Sequence, residues 1–360
     1  MRSGNAGRTT GGHLRGGIDP SARQAASIRN DDWKWRRSRC SGLGVTVETV
    51  ETSRPAPVAP PGLGRVDLGL YATIVWVWGT SWIALHHQLG VVAPEVSLVW
   101  RFALSFVLML AWMLWRGDRI AASLADHGRY AALGALMFST NLLLFYYGGL
   151  SVPSGLLAVV FSLASVFNLL LGAIIFRQRA DPRVALGGVL GVAGVAGMFW
   201  PEIVGKDFDR AALVGLGLCV AGTVLFCLGN MVATASQRRG LPMTSATLWA
   251  MAYGTLFLTL FSVARGSAFI IEMTPAYLGG LAYLSVASSV IAYAAYMRLL
   301  QRIGAARASY STVLFPVVAL AISTFAEGYR WTIPSLIGLA LVVAGNLFVH
   351  GPRRELGHKV

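Results

Sequence analysis

Long apolar runs separated by short polar loops fill residues 67–360. Each run is roughly 17–25 residues long, the length of helix that crosses the hydrocarbon core of a bilayer. Ten spans are predicted, at 68–88, 95–115, 130–150, 153–176, 184–200, 211–236, 243–264, 277–300, 305–326 and 333–350. The pattern therefore predicts an all-α polytopic membrane protein, in which short loops make consecutive spans antiparallel neighbours.

Composition supports this fold class. The 360 residues are 55% apolar and only 13% charged, with a mean hydropathy of +0.60, whereas about a quarter of a soluble domain is charged. The apolar runs exclude a soluble nucleotide-binding fold and a secreted disulfide scaffold. No disulfide framework is implied, because Cys219 and Cys227 lie eight residues apart on one span and cannot bridge each other. No cofactor and no metal site are expected.

Residues 1–66 contain no apolar run and end in a Pro-rich stretch. They are predicted to form a disordered cytoplasmic tail, part of which we interpret as a start-site artefact with initiation nearer Val45 or Val47. Residues 351–360 are predicted to form a second cytoplasmic tail.

Basic residues are placed asymmetrically among the loops. A net charge of +14 would by itself suggest a nucleic-acid-binding protein, but the placement of the basic residues indicates another reason for it. Fourteen Lys and Arg residues fall on one side of the predicted spans, and four fall on the other, namely Lys206, Arg210, Arg265 and Arg330. This alternation is the positive-inside bias, so both termini are predicted in the cytoplasm and no nucleic-acid partner is expected.

Spans 4–5 resemble spans 9–10 at an offset of 151 residues. The matching positions are Leu163, Val166, Leu169, Gly187, Val192, Ala193 and Gly194 with Leu314, Val317, Leu320, Gly338, Val343, Ala344 and Gly345. A repeat of five spans inserts its second copy upside down. Residues 67–200 and 211–350 are therefore predicted to be inverted five-helix repeats, as in many secondary transporters.

Several short motifs resemble those of the EamA-type drug/metabolite transporter family. They are Trp78-Gly79-Thr80-Ser81-Trp82, Arg101-Phe102, Gly304-Ala305-Ala306-Arg307-Ala308-Ser309, Pro316-Val317, Glu327 and Ile337-Gly338. The resemblance implies a ten-helix inner-membrane carrier that moves small metabolites, often outward, by alternating access. Phe315, Ser165 and Gln178 depart from the family pattern, since relatives often have Glu, Pro and an acidic residue there. These departures weaken the transfer of a proton-coupling role.

Arg101 is the one charge placed well inside a predicted span. It shares a polar stripe with Ser97 and Ser105 at four-residue spacing. A cation at this depth costs roughly 2.5–3.5 kcal/mol near a helix centre, so it needs a reason to be there. One interpretation is contact with an anionic substrate in a central cavity; the other is a structural Arg that reaches the interface or a neighbouring carbonyl.

Further substrate-binding candidates are polar or aromatic residues at helical spacing. They are Trp78 in span 1, Asn141, Asn168, Asn230, Ser289 and Tyr296 in spans 3 to 8, and Thr312 in span 9. Amides are costly against lipid, so the three Asn residues are expected to line a cavity. For the small hydroxyl residues, close packing between helices remains the alternative, and for Trp78 a bulky packing role.

Coupling or gating candidates lie near the outer ends of the spans. Glu95 and Glu327, with His86 and His87, are interpreted either as a proton- or ion-binding cluster or as solvated helix caps. Pro316 removes a backbone hydrogen bond within span 9, so it predicts a kink suited to a gate.

Glycine-rich faces on spans 5 and 10 predict close packing, either within the fold or in a homodimer through those helices. The other expected partners are a small-molecule substrate and the lipid bilayer. The leading hypothesis is a carrier. A channel or non-transporting scaffold and an intramembrane enzyme are the alternatives, and both lack their usual motifs. Substrate identity, direction and coupling ion remain open.

Overall fold

The computed structural model describes residues 64–120, 122–177, 182–200, 210–303 and 311–350, all within the compact unit Pro61–Val360. The predicted tails, apart from residues 64–66, lie outside the described residues. So do the motif at 304–309, Gln178 and the side chain of Thr312.

Helices make up almost the whole described chain, and no strand occurs in it. The first half contains α1 (Arg65–His86), α2 (Pro94–Arg116), α3 (Leu124–Met137), α4 (Thr140–Gly148), α5 (Ser154–Ser162), α6 (Ala164–Ile175) and α7 (Pro182–Met198). The second half contains α8 (Arg210–Gln237), α9 (Met243–Ala264), α10 (Pro275–Ala282), a π-helix (Tyr283–Ile291), α11 (Ala292–Ile303), α12 (Ser311–Ala326) and α13 (Ile333–His350).

Seven helical stretches in the described chain are long and apolar enough to cross a membrane. They are Arg65–His86, Pro94–Arg116, Leu124–Gly148, Ser154–Ile175, Arg210–Gln237, Met243–Ala264 and Pro275–Tyr296. Three shorter apolar helices, Ala185–Met198, Leu314–Ala326 and Ile333–Phe348, coincide with the predicted spans 5, 9 and 10. The chain is thus a multi-pass membrane protein, and ten crossings stay a prediction.

Local sequence explains where several helices begin and end. Pro94 and Pro275 occupy the first turns of α2 and α10, where a missing N–H removes no helical hydrogen bond. The Thr274 side chain accepts from the Tyr277 N–H and caps α10. Gly117 ends α2 in the left-handed conformation at φ 68°, which residues with a Cβ rarely adopt.

Four of the predicted spans are interrupted. Span 3 breaks at Phe138 and Ser139, between α3 and α4, and span 4 breaks at Leu163, between α5 and α6. Span 8 contains the nine-residue π-helix, and span 9 contains Pro316 inside α12. Interruptions of this kind leave backbone groups available to side chains or ligands, and π-helical segments occur frequently at functional sites.

The glycine faces of α7 and α13 pack against each other in the most extensive helix contact among the described residues. A Cβ on Gly194 would lie 2.5 Å from the Gly338 carbonyl oxygen, so the two backbones touch only because both residues lack side chains. The expectation of close packing within the fold is therefore confirmed. A homodimer through these helices stays a prediction and would have to use their other faces.

The remaining contacts link the two halves of the chain. α1 packs on α12, on α11 and on the π-helix, while α8 packs on α3 and α4 and on α5 and α6. α2 packs on α9. Polar residues buried between these helices form the candidate site.

Candidate functional site

Arg101 is buried on α2, where it faces the π-helix. Its side chain is only 7% exposed, and its Nη2 donates to the Ser289 hydroxyl at 3.4 Å. Its Nε has no hydrogen-bond partner. The structure therefore brings together two of the predicted substrate residues, which lie 188 positions apart in the sequence.

The polar stripe around Arg101 binds the π-helix to α2. The Ser285 hydroxyl donates to the Arg101 carbonyl oxygen at 3.1 Å, and the Ser105 hydroxyl donates to the same oxygen at 2.8 Å. The Ser97 and Tyr277 hydroxyls are 3.0 Å apart. All three serines are fully buried, so these hydrogen bonds satisfy groups that would be costly to leave unpaired.

Gln88 and Tyr146 join this site although the sequence analysis did not single them out. The Tyr146 hydroxyl donates to Gln88 Oε1 at 2.6 Å. Gln88 is fully buried, and its side-chain Nε2 has no hydrogen-bond partner among the described residues. Its backbone carbonyl oxygen accepts from the Ser97 hydroxyl. We call Arg101, Ser289, Tyr146, Gln88, Ser97 and Tyr277 the Arg101 cluster.

No acid among the described residues forms an ion pair with Arg101. Ion pairs among the described residues use Asp67, Asp118, Asp126, Glu95 and Glu327, each with a different cation. The guanidinium lies 5.3 Å from the centre of the Phe102 ring, and this contact offsets only part of the desolvation of a buried cation. A buried cation without a carboxylate is an electrostatic setting that favours an anion.

Trp78 and Tyr296 belong to a second group, which also contacts the π-helix. The Trp78 indole donates to the Ser288 carbonyl oxygen at 3.2 Å and packs against Tyr296 and Phe315, with ring centres at 5.3 and 5.8 Å. Phe315, which stands where the resemblance led us to look for Glu, is fully buried in this aromatic wall. Neighbouring residues of the π-helix, Ser288 and Ser289, thus contact the aromatic group and Arg101 respectively.

The three asparagines do not join the Arg101 cluster through any hydrogen bond of the described residues. Asn230 donates from Nδ2 to Asn168 Oδ1 at 3.2 Å, which ties α8 to α6. Asn141 is 2% exposed at the start of α4, and its Oδ1 has no partner. The first pair acts as a link between helices, and Asn141 is left as a buried acceptor at the break in span 3.

Glu327 connects three helix ends. Its carboxylate accepts from the backbone N–H of Ser154 at 3.1 Å, from the Ser154 hydroxyl at 2.7 Å and from the Ser323 hydroxyl. His86 Nδ1 lies 3.2 Å from Oε1, close enough for an ion pair when the imidazole is protonated. The ends of α1 and α12 and the beginning of α5 therefore meet at one carboxylate.

Glu95 forms a separate set of contacts, so the predicted His–carboxylate cluster is divided in two. Glu95 accepts from the hydroxyls of Tyr147 at 2.7 Å and Ser267, and it pairs with Arg265 at 3.4 Å. His87, the fourth predicted member, is exposed. Partner choice here depends on a residue 170 positions away, which periodicity cannot reveal.

The opposite end of α1 carries a further ion pair, between Asp67 and Arg302 at the end of α11. This contact raises the pKa of the Arg302 guanidinium by hydrogen bonding. α1 therefore has a contact between an acidic and a basic side chain at each end, and Gln88 of the Arg101 cluster lies two residues beyond His86. An open groove of about 580 Å³ lies elsewhere, where α4 ends and α8 begins, lined by Tyr147, Leu150, Ser151, Arg210, Ala211, Val214, Gly215 and Leu218.

Comparison with known proteins gives the family. Residues 68–200 and 213–350 match the EamA-like transporter family, and the chain belongs to this family. It is therefore a transporter of the drug/metabolite transporter superfamily.

Individual relatives agree. An "Uncharacterized transporter" of Archaeoglobus fulgidus is 25% identical over 77% of this chain and 96% of its own length. A "Probable amino-acid metabolite efflux pump" of Salmonella typhimurium is 25% identical over 81% of this chain and 98% of its own length. A protein crystal structure, 17% identical, shares the fold with a TM-score of 0.58 over 79% of this chain and 95% of that one.

Proposed function

We propose that this protein is a secondary transporter that exports small metabolites by alternating access. In this proposal ten spans form two inverted five-helix repeats in the inner membrane, with both termini in the cytoplasm. The observation that carries it is Arg101, a buried cation that forms no ion pair with a carboxylate of the described residues and that contacts the interrupted helix of span 8.

Matched contacts in the two halves support the inverted repeat. α1 packs on the helices of spans 8 and 9, and α8 packs on those of spans 3 and 4. Exchanging the repeats converts one set of contacts into the other. The interruptions follow the same rule, since span 3 corresponds to span 8 and span 4 to span 9. Discontinuous helices at corresponding positions are typical of substrate sites in transporters with inverted repeats.

The ion pairs at the two ends of α1 support alternating access. Asp67–Arg302 ties α1 to α11 at one end, and His86–Glu327 ties α1 to α12 at the other. A carrier has to open one end while the other stays closed, and discrete polar contacts between helix ends provide two such arrangements. We therefore assign gating, rather than proton coupling, to Glu327 and Glu95, with Pro316 as a bending point of α12.

Export of small, amino-acid-like metabolites is supported by the similarity to the Salmonella typhimurium "Probable amino-acid metabolite efflux pump". The aromatic wall of Trp78, Tyr296 and Phe315 suits the apolar part of such a compound. We propose Thr312 and Asn141 as further substrate contacts in the open conformations. Asn168 and Asn230, hydrogen-bonded to each other, would contact substrate only if their bond opens.

Counterflow in proteoliposomes tests the proposal. Vesicles loaded with a metabolite mixture should accelerate entry of the same labelled metabolite, which a carrier does and a channel does not. Arg101→Ala should abolish this exchange while the protein still inserts. Arg116→Ala, a matched change at the exposed end of the same helix, should leave it intact.

Absence of exchange with every metabolite, or exchange unaffected by Arg101→Ala, would contradict the proposal. Reporter fusions that put the two termini on opposite faces would contradict the topology.

A further inference from the structure

The Arg101 cluster contains two buried hydrogen-bond donors without acceptors. They are Nε of Arg101, whose side chain is 7% exposed, and Nε2 of Gln88, which is fully buried. A buried polar group left unpaired costs roughly 1–3 kcal/mol, and more when it is charged. Two such donors in one cluster indicate that an acceptor belongs there in another state of the protein.

Tyr146 sets the orientation of the Gln88 side-chain amide. The Tyr146 hydroxyl donates to Gln88 Oε1 at 2.6 Å. This hydrogen bond places the Gln88 amide with its oxygen towards Tyr146, and it leaves the NH₂ group free to donate to something else.

The charge balance of the cluster selects the class of acceptor. Arg101 brings a positive charge, and none of the ion pairs in the described ranges supplies it with a carboxylate. The other members, Ser97, Ser289, Tyr146 and Tyr277, are neutral hydroxyl groups. Nothing in the cluster would balance an ammonium group, whereas a carboxylate would satisfy the charge and accept from both free donors.

We propose that the Arg101 cluster recognises the carboxylate of a monoanionic or zwitterionic metabolite, with Gln88 and Tyr146 as specificity-determining residues. Arg101 Nε and Gln88 Nε2 donate to the two carboxylate oxygens. Tyr146 holds Gln88 in the donating orientation. The aromatic wall of Trp78, Tyr296 and Phe315, which also contacts the π-helix, packs on the apolar part of the metabolite. This inference rests on the proposed transport function, because the metabolite reaches the cluster only when the helices move apart.

The test uses the full-length protein in nanodiscs of phosphatidylcholine alone, so that no anionic lipid headgroup is present. Two panels of probes are compared by thermal shift and by counterflow. The first contains the common L-amino acids and the straight-chain monocarboxylates from acetate to octanoate; the second contains the amides of the same compounds. We expect binding and exchange with members of the first panel and at least about tenfold weaker binding of their amides.

Three variants separate recognition from folding. Arg101→Gln should weaken carboxylate binding by about tenfold or more. Gln88→Glu keeps an oxygen that accepts from Tyr146 but replaces the free Nε2 donor by a negatively charged oxygen. This oxygen should repel the carboxylate of the metabolite, so the variant should lose carboxylate binding and favour the amides. Gln237→Glu makes the same change at the exposed end of α8 and should change neither. Melting of the unliganded variants close to that of the parent protein shows that they are folded.

The outcomes distinguish the two proposals. Exchange of amides or amines with no preference for carboxylates overturns the carboxylate assignment and leaves the carrier in place. A Gln88→Glu variant with unchanged carboxylate affinity also overturns it. If no compound of either panel binds, the assignment is likewise wrong. Exchange of an uncharged metabolite from the mixture described above would still support a carrier.

Discussion

Replacing Glu327 by Gln tests whether its carboxylate holds the ends of α1 and α12 against the beginning of α5. In the structure the side chain is 13% exposed and accepts from the Ser154 N–H, the Ser154 hydroxyl and the Ser323 hydroxyl. Ser154 is the first residue of α5, so the carboxylate also lies at the positive end of that helix dipole. Gln has the same length but no charge.

The size of the effect follows from these contacts. Hydrogen bonds to a charged group contribute about 1.5–3 kcal/mol, against about 0.5–1.5 kcal/mol for neutral pairs. The two hydroxyls can reverse and accept from the new amide, so part of the loss is recovered. Loss of the charge at the N-terminus of α5 adds about 0.3–1 kcal/mol. We expect Glu327→Gln to lower the free energy of unfolding by about 1–3 kcal/mol.

Thermal melting of the purified protein in detergent measures this change, and a decrease of about 2–6 °C is expected. Glu272→Gln is the matched control, because Glu272 accepts only from Thr274 two residues away and should leave the melting temperature unchanged. Exchange at equal solute concentrations should persist in Glu327→Gln. Unchanged melting together with loss of pH-gradient-driven transport would refute the reasoning and assign proton coupling to this carboxylate.

Three further predictions concern packing and gating. Gly338→Val should lower the melting temperature by the equivalent of about 1–3 kcal/mol, since a Cβ there overlaps the backbone of α7. Asp67→Arg or Arg302→Asp alone should reduce counterflow, and the double exchange should restore it; a double variant no better than either single one would argue against the inner ion pair. Asn230→Leu should lower the melting temperature by stranding the Asn168 amide, and adding Asn168→Leu should recover part of the loss. If the decreases in melting temperature of the two single variants simply add in the double variant, the hydrogen bond between the Asn230 and Asn168 side chains does not form.

A matched control is available for the glycine substitution. A Cβ on Gly217 would meet no atom within 4 Å, so Gly217→Val should change the melting temperature much less than Gly338→Val. Equal effects of the two substitutions would mean that helix propensity, and not the contact between α7 and α13, determines the result.

The length of the apolar runs predicted the seven helical stretches of the described chain that are long enough to cross a membrane, while ten crossings stay a prediction. The second span was predicted at 95–115, and α2 runs from Pro94 to Arg116. The sequence was enough to select Arg101 as a candidate site residue, because a charge inside a membrane span is costly and needs a physical reason to be there. The glycine faces of spans 5 and 10 predicted close packing within the fold or between protomers, and the structure shows that the two faces pack against each other.

Other parts of the site could not be predicted from the sequence. Gln88 follows the end of α1, and Tyr146 resembles an ordinary membrane-interface aromatic residue, so no periodic pattern marks either one. Their relation to Arg101 depends on where three helices meet. The π-helix at Tyr283–Ile291 has no composition that distinguishes it from the α-helices around it. Glu95 was grouped with His86 because both lie near the outer ends, and only the packing of α9 shows that Arg265 is its partner.

Thiol labelling at position 289 tests alternating access most directly. In a chain with Cys40, Cys219 and Cys227 replaced, Ser289→Cys puts a single thiol beside Arg101, where Ser289 is 9% exposed. The protein is reconstituted in one orientation, and a membrane-impermeant thiol reagent is applied to either side. The account predicts labelling from both sides, each slowed when the ion pair at that end of α1 is closed. Labelling from one side only, or from neither during exchange, would contradict it.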